Sequence, residues 1–266
     1  MRYQGGKSRI SKQISYKIKE VTNVQYQGGK SRIAKRIANI IDSCSTGGCF
    51  VSLFCGTCSI ESKLSVSFDK MILNDKHKYL IDLLVGVQNG YKLPEFISEE
   101  QYKYIRKHKD EDSILTGFVG FGCSFGGKWF GGYARNKTNT NYALQSKKSL
   151  LKDMSTLQAA RFTCQDYKDV KLPEGCVIYA DPPYNNTTGY GNEKFDSSEF
   201  WEYARKTSKE HLMFISEQEA PDDFVAIWEC PFTRTLDKNK QNQFKVTEKL
   251  FIHKNWLKQL YNDEIN

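Results

Sequence analysis

The stretch Cys49-Phe-Val-Ser-Leu-Phe-Cys-Gly-Thr-Cys-Ser59 contains an apolar run followed by a turn with one glycine. The run, Cys49–Phe54, is typical of a short buried strand. A helical stretch is predicted from Ile60, and a second strand over 70–73 leads to Asp75. A strand, a glycine turn, a helix and a second strand that ends in an acid about 20 residues on are typical of a nucleotide-binding βαβ unit.

Further apolar segments extend this pattern along the chain. The predicted later strands are Arg161–Cys164, Cys176–Ala180, Leu212–Ile215, Val225–Trp228 and Lys249–Ile252. Helical stretches such as Tyr79–Val87 alternate with the strands. We therefore predict an α/β fold with a doubly wound, mostly parallel sheet and helices on both faces.

A segment of different character interrupts the pattern between Pro94 and Asp153. It contains a charged helix, Ser98–Lys109, and residues 117–132 hold seven glycines and five Phe or Trp residues. Residues 128–152 then hold six Lys or Arg and no acid. We interpret this segment as an inserted module. Its aromatic residues Phe118, Phe121, Phe125 and Trp129 could contact a ligand, and for the three Phe residues a small hydrophobic core is the favoured interpretation.

The bulk composition indicates a packed globular protein. The chain has 266 residues, 39% hydrophobic and 13% aromatic, which excludes disordered and fibrous classes and allows one large domain with an insertion. No apolar run approaches the roughly 18 residues of a membrane helix, and no secretory signal is recognised at the N-terminus. We expect a cytoplasmic protein without a membrane partner.

The positive charge is concentrated in two places. Residues 1–40 carry ten Lys or Arg and one acid, so this segment alone exceeds the net charge of +8 of the whole chain. The other basic stretch lies in the inserted module. Local basic surface on an otherwise neutral protein suggests a polyanionic partner. If charge were the only observation, solvated helix faces would be the simpler explanation.

A nine-residue motif occurs twice near the N-terminus. Residues 2–10 and 25–33 share the sequence Tyr-Gln-Gly-Gly-Lys-Ser-Arg-Ile after their first residue. Two copies are too few for a solenoid, and neither copy has the first glycine of a phosphate-binding P-loop. Because one helix and a short turn separate Lys30 from the strand at Cys49, we predict that the second copy is functional. Residues 1–22 would then be a redundant basic arm.

The eight cysteines are expected to be reduced in a cytosol. Cys55-x-x-Cys58 could indicate either a zinc site or a redox pair. A zinc site needs a second ligand pair, and the sequence has no other C-x-x-C or H-x-x-x-H. We therefore predict no metal.

The motif Asp181-Pro-Pro-Tyr184 directly follows the predicted strand Cys176–Ala180. Ligands of open α/β sheets bind at the carboxyl ends of the strands. Two successive prolines fix φ and supply carbonyls without amide hydrogens, so the turn presents a carboxylate, a carbonyl and an aromatic face together. A loop with a capping Asp and a packed Tyr is the structural alternative, and the position at a strand end favours a site.

This arrangement resembles the Dam-type, DPPY-motif family of DNA adenine-N6 methyltransferases of phages and bacteria, over roughly residues 25–255. The family order is a Gly-Gly-Lys segment, a Phe-x-Gly-x-Gly loop, an acid, a target-recognition insert, a second acid and Asp-Pro-Pro-Tyr. The matching positions here are 28–30, 54–58, Asp75, 88–153, Asp166 and 181–184. The resemblance implies a Rossmann-like methyltransferase sheet, with a catalytic domain of residues 23–87 and 154–266 and a target-recognition insert of residues 88–153.

The resemblance also implies S-adenosylmethionine as cofactor, double-stranded DNA as partner and a flipped-out adenine as target. The catalytic residues would be Asp181, Pro182 and Tyr184. The cofactor-binding residues would be Tyr26, Lys30, Phe54, Gly56, Thr57, Asp75, Asp166 and Asp181. The DNA-contacting residues of the insert would be Arg135, Lys137, Asn139 and Lys147.

Individual roles follow from the same resemblance. Phe54, Gly56 and Thr57 would hold the methionine part of the cofactor, Asp75 the ribose hydroxyls and Asp166 the adenine amino group. Lys30 would lie near both the cofactor and the target base. Cys58 stands where the family has its second glycine, and the larger side chain could narrow the loop and change cofactor affinity.

The sequence is compatible with two other functions. The same fold could methylate N4 of cytosine or adenine in RNA, although an Asp rather than a Ser at position 181 favours adenine by resemblance. The chain could also be a catalytically silent nucleic-acid-binding protein, against which the intact Asp166, Asp181 and Tyr184 argue. We expect a monomer, acting in restriction–modification, phage self-protection or regulation.

Overall fold

The computed structural model describes residues 30–45, 47–183, 195–235 and 243–257. Tyr26, Tyr184, the first repeat copy and the proposed arm of residues 1–22 lie outside these ranges. The chain divides into two compact units. The first unit comprises Met1–Phe54, Lys63–Met71 and Lys171–Asn266, and the second comprises Cys55–Ser62 and Ile72–Val170.

The described chain contains both strands and helices, which do not alternate regularly. The described strands are β1 (Cys49–Ser52), β2 (Lys70–Asn74), β3 (Arg161–Thr163), β4 (Val177–Ala180), β5 (Leu212–Glu217), β6 (Phe224–Thr235) and β7 (Gln243–His253). The described α-helices are α1 (Lys30–Cys44), α2 (Lys78–Gln88), α3 (Glu99–Lys107), α4 (Ser113–Gly117), α5 (Tyr142–Met154) and α6 (Ser197–Thr207). A π-helical turn, Phe118–Gly122, continues α4.

The described strands form one sheet in the order β3-β2-β1-β4-β5-β7-β6. The pairs β2–β3, β1–β4 and β4–β5 are parallel, whereas β7 is antiparallel to both β5 and β6. The predicted α/β fold with a mostly parallel sheet flanked by helices is therefore confirmed.

Apolar side chains explain the packing of the first unit. β4 and β5 are buried along their whole lengths, as expected for strands covered on both faces. Helix α1 buries one stripe of aliphatic residues, including Ile33, Ile37 and Ile41. The guanidinium of Arg205 on α6 donates to both carboxylate oxygens of Asp223, at 2.6 and 3.2 Å, and ties the helix to the start of β6.

Three glycines set the packing of the second unit. A Cβ at Gly117 would lie 2.0 Å from the carbonyl oxygen of Tyr79 on α2, and a Cβ at Gly86 would lie 2.6 Å from Ile114. A Cβ at Gly120 would lie 2.2 Å from the Trp129 ring. We call Gly86, Gly117 and Gly120 the glycine seam, because only glycine permits these close approaches.

The helix predicted from Ile60 is wrong, since the structure has only a 3₁₀ turn there, Glu61–Lys63. The Asp42 carboxylate accepts the N–H groups of Ser65 and Val66, at 2.8 and 3.2 Å. These amides therefore bond a side chain instead of helical carbonyls, and the segment that leads into β2 is irregular.

The aromatic residues of the insert separate into two groups. Phe118 and Phe121 are buried, as predicted for a small core. Phe125 is 59% exposed, so its assignment to the core is wrong. It lies in a turn where Gly126 and Gly127 have φ of +63° and +69°, between bridge partners Ser124 and Tyr133, and this turn holds its ring away from the core.

Candidate active site

Two predicted site residues follow neighbouring parallel strands of the first unit. The register pairs Ser52 of β1 with Tyr179 of β4, and the Leu53 N–H donates to the Tyr179 carbonyl at 3.0 Å. Phe54 and Asp181 each come two residues after these paired positions. The structure therefore places both at the carboxyl ends of the strands, where α/β proteins bind ligands.

The turn after β4 combines an exposed acid with a buried proline. Asp181 is exposed, whereas Pro182 is buried. The Phe54 ring packs edge-on against Phe195 and Phe200, with centroids 5.9 Å away in each case. The aromatic group fixes the Phe54 ring, so this side chain can offer a rigid apolar wall.

In the second unit, Asp75 organises the loop that follows β1. Its Oδ2 accepts the Gly56 N–H at 3.0 Å, and its Oδ1 accepts the His77 N–H at 2.8 Å. Burial raises the pKa of the Asp75 carboxyl, and the two amide hydrogen bonds partly offset that rise. Each oxygen keeps a second lone pair, so the carboxylate can still accept hydrogen bonds from a ligand.

The loop itself leaves room for a ligand beside Gly56. Gly56 has φ of +50°, and no atom lies within 4 Å of the position that its Cβ would take. Thr57 next to it is exposed. A polar ligand group can therefore approach the backbone closely here, as the predicted methionine site requires.

Cys58 has a backbone conformation that glycine adopts easily, and glycine is the residue that the resembled family has at this position. Its φ is +58°, in the left-handed region that costs a non-glycine residue roughly 1–2 kcal/mol. The Cys58 N–H donates to the Cys55 carbonyl at 2.8 Å and closes a four-residue turn. A cysteine at this position therefore keeps the turn, but its backbone is strained.

Asp166 lies close to the end of β2 because β2 and β3 are parallel neighbours. Its carboxylate accepts the Lys168 N–H at 3.1 Å and lies 3.5 Å from the Lys76 ammonium. The Asp75 N–H donates to the Thr163 carbonyl at 3.2 Å, which joins the segments after the two strands. The structure thus brings the two predicted cofactor acids to the same edge of the second unit.

Glu217 is an acid near the candidate site that was not among the predicted site residues. It ends β5, directly beside β4, and only 7% of the residue is exposed. Burial raises its pKa to about 7, the Gln218 N–H opposes this rise, and Glu248 and Glu219 add to it. An acid at the end of a buried strand was the signal that could have found it.

Replacing Glu217 with glutamine should stabilise the protein at pH 8. A carboxyl with a folded-state pKa of about 7 binds a proton more tightly than in the unfolded chain, so stability falls as pH rises from about 4.5 to 7. Glutamine removes that loss, by about 1–3 kcal/mol at pH 8, and changes little at pH 4. Urea unfolding at both pH values measures the difference, and equal gains at both would contradict the titration of Glu217.

Two of the predicted DNA-contacting residues form ion pairs with acids of the same module. Arg135 lies 2.9 Å from Glu99 and keeps 69% of its side chain exposed. Lys147 lies 3.0 Å from Glu95, with 22% of its side chain exposed. Lys137 is exposed, and none of the described residues forms an ion pair with it.

Asn139 lies in a short exposed loop that borders a cavity of about 220 Å³. Its φ is +50°, and the loop is closed by two hydrogen bonds between Asn136 and Thr140, of 2.8 and 3.0 Å. Tyr133, Arg135, Asn136 and Asn141 also line the cavity. The cavity beside the predicted contact residues is therefore lined by both polar and apolar side chains, the apolar ones including Phe96 and Ile97.

Three predicted residues cannot be placed in this geometry. Tyr26 and Tyr184 lie outside the described residues, and Lys30 is described only as the first residue of α1, without its side chain. Within the described ranges, no group of three or more His, Cys, Asp or Glu side chains could hold a metal. No described helix is long and apolar enough to span a membrane.

The mostly parallel sheet and the polar residues at its strand ends define an α/β protein with a candidate ligand site at the carboxyl ends of the strands. The family model for D12 class N6 adenine-specific DNA methyltransferases matches residues 26–115 and 126–259. The chain belongs to this family, as the sequence resemblance predicted. It is therefore a methyltransferase enzyme.

Solved structures of similar shape are distant in sequence. An RNA methyltransferase candidate from Pyrococcus horikoshii is 9% identical with a TM-score of 0.41, and covers 91% of this chain and 98% of its own. An rRNA methyltransferase from Streptomyces viridochromogenes is 10% identical with a TM-score of 0.40, and covers 90% of each chain. No curated protein matches the sequence significantly.

Proposed function

We propose that the protein transfers a methyl group from S-adenosylmethionine to N6 of adenine in double-stranded DNA. Family membership supports this reaction. At the level of single residues, the main supporting observation is that Asp181 and Pro182 follow the carboxyl end of β4. The sulfonium of S-adenosylmethionine supplies an activated methyl group, so the protein's task is to position the amine for in-line attack.

The amine must become a better nucleophile, because its lone pair is delocalised into the adenine ring. The exposed Asp181 carboxylate and the Pro182 carbonyl would each accept a hydrogen bond from N6. These contacts favour a pyramidal nitrogen with a localised lone pair. As the N–C bond forms, the C–S bond to the sulfonium would break, S-adenosylhomocysteine would leave, and the Asp181 carboxylate would take the proton that N6 loses. Tyr184 would stack on the flipped base.

Phe54 would supply an aromatic wall for the methyl donor, and Gly56 with Thr57 would supply open backbone for its methionine part. Asp75 and Asp166 would accept from the ribose hydroxyls and the adenine amino group. Tyr26 and Lys30 stay proposals from the family resemblance.

The insert would bind DNA through its exposed basic and polar residues. Arg135 and Asn139 line the cavity of about 220 Å³. Lys137 is exposed between them in the sequence, and the exposed Phe125 adds an apolar surface on the same module. Phosphate contacts would position the duplex, whereas groups at the cavity could read base edges.

Lys137 and Lys147 form a matched pair for testing this surface. Lys137→Ala should lower DNA affinity and reduce the slope of log affinity against log salt by about 0.9, the value of one phosphate contact. Lys147→Ala should change the slope less, because Glu95 already neutralises its ammonium at 3.0 Å. Salt titrations of duplex binding measure both slopes, and the reverse ranking would contradict this assignment.

Transfer of a labelled methyl group tests the whole proposal. The purified protein, incubated with methyl-labelled S-adenosylmethionine and duplex DNA, should produce N6-methyladenine on nucleoside analysis. Label on RNA alone, or on N4 of cytosine, would replace the proposed substrate. Calorimetry that shows no donor binding would support the catalytically silent alternative instead.

A further inference from the structure

Trp129 of the inserted module packs on the segment that follows β2. Its ring lies edge-on to the His77 ring, with centroids 4.4 Å apart, and stacks on the Tyr79 ring at 5.3 Å. His77 comes two residues after Asp75, the acid proposed to hold the ribose of the methyl donor. A side chain of the module that is proposed to bind DNA therefore contacts the segment that carries the donor acid.

The His77 ring is enclosed by aromatic side chains. Phe121 lies edge-on to it at 5.0 Å, and the Tyr79 ring lies 6.0 Å away. Burial lowers the pKa of His77 to about 4, so the ring is neutral at neutral pH and packs as an aromatic group. Of these three ring contacts, the one with Trp129 is the shortest, and it is the main support of the His77 side chain.

The His77 backbone in turn holds the Asp75 carboxylate. The His77 N–H donates to Asp75 Oδ1 at 2.8 Å, while Asp75 Oδ2 accepts the Gly56 N–H at 3.0 Å. The His77 carbonyl accepts the Leu80 and Ile81 N–H groups, at 3.0 and 3.2 Å, at the start of α2. The ring contacts and the helix together fix His77, so its amide keeps the Asp75 carboxylate in one orientation.

Trp129 is itself held firmly. The Gly131 N–H donates to the Lys128 carbonyl at 2.9 Å and closes a turn around Trp129. Phe130 packs edge-on against the indole at 4.7 Å, and a Cβ at Gly120 of the glycine seam would lie 2.2 Å from the same ring. The Trp129 ring is therefore packed on a rigid part of the module and can support His77 without moving.

We propose that Trp129 is a positioning residue for methyl-donor binding: its ring supports His77, whose amide holds the Asp75 carboxylate in the orientation that accepts from the donor ribose. The inference rests on the proposed function for the identity of the ligand, and on the ring contact and the hydrogen bond for the link to Asp75. Because Trp129 acts through His77, its loss should weaken donor binding less than the loss of Asp75 itself.

Calorimetry of S-adenosylmethionine binding to the full chain tests the proposal. Trp129→Ala should weaken donor affinity by about three- to thirtyfold, the size of coupling through packed side chains. Trp129→Phe keeps an aromatic ring at this position and should restore most of the lost affinity. Tyr104→Ala is the matched control, because it removes another aromatic–histidine contact of the same module, with His108 at 4.1 Å, and should leave the affinity unchanged.

Two further measurements separate a positioning role from a merely structural one. In the Asp75→Ala background, Trp129→Ala should not weaken donor binding further, because the carboxylate that it positions is gone. In the otherwise unchanged chain, Trp129→Ala should raise the pKa of the Asp75 carboxyl, because the hydrogen bond from the His77 amide lowers that pKa. Nuclear magnetic resonance titration measures this pKa without any donor.

Circular dichroism should show that each variant is folded under the assay conditions. If Trp129→Ala does not fold, His77→Ala removes the other half of the ring contact and should weaken donor binding to the same extent. The His77 amide stays in that variant, so a loss of affinity there reports on the support of the amide and not on its removal.

The outcomes distinguish this inference from the proposed function. Wild-type donor affinity or an unchanged Asp75 pKa in Trp129→Ala, or an equal loss of affinity in the Asp75→Ala background, overturns the inference and leaves the methyltransferase assignment standing. Absence of donor binding by the wild-type chain overturns the proposed donor. A raised Asp75 pKa in Trp129→Ala would in that case still support the link from the ring to the carboxylate.

Discussion

Replacing Asp181 with alanine should lower methyl transfer by about 10²–10⁴-fold, the contribution of a positioned group that handles a proton in the reaction. The loss should fall on kcat, because Asp181 is proposed to contact the reacting amine. The residue is exposed at the end of β4, so its side chain contributes little packing. Circular dichroism should be unchanged, and S-adenosylmethionine affinity should fall only slightly.

A matched control lies at the opposite end of the same strand. Glu174 is an exposed acid shortly before β4, and Glu174→Ala should leave turnover near the wild-type rate. Asp181→Asn keeps an oxygen acceptor but cannot take the proton, so it should recover only part of the activity. Near wild-type turnover in Asp181→Ala would show that another group activates the amine.

Replacing Asp75 with alanine should weaken S-adenosylmethionine binding by about ten- to a hundred-fold. One charge-assisted hydrogen bond contributes about 1.5–3 kcal/mol, and the Asp75 carboxylate also holds the Gly56 and His77 amides at 3.0 and 2.8 Å. Its removal therefore takes away a ligand contact and loosens the loop. Calorimetry measures the donor Kd, and duplex DNA affinity should change much less.

The amino end of β2 supplies the control for this variant. Asp69 is exposed just before the strand, and Asp69→Ala should bind S-adenosylmethionine as the wild type does. Asp75→Asn should be intermediate, because its amide oxygen accepts only on one side. An unchanged donor Kd in Asp75→Ala would place the ribose contact elsewhere.

The strands and their polar ends were predictable because they depend on local patterns. Apolar runs identified β1, β4 and β5, and the acids that follow β2 and β4 were visible directly after them. Gly56 and Cys58, which stand at the positions of the family's two glycines, both have positive φ. These features need no knowledge of distant contacts.

The rest depends on residues far apart in sequence. The Asp42 carboxylate accepts hydrogen bonds from the Ser65 and Val66 amides, so the helix predicted from Ile60 does not form. Lys147 pairs with Glu95 across 52 positions, so its charge could not be judged from the basic stretch alone. Composition also could not distinguish the buried Phe118 from the exposed Phe125, because only the turn geometry separates them.

The glycine seam limits how this protein can diverge. A Cβ at Gly117 would lie 2.0 Å from the Tyr79 carbonyl oxygen, and a Cβ at Gly120 would lie 2.2 Å from the Trp129 ring. Single substitutions at these two positions should therefore disrupt the packing. Side chains in the exposed loop around Asn139 meet no comparable packing limit. Under the proposed function, changes in target preference should therefore accumulate in this loop, while the residues around the glycine seam stay unchanged.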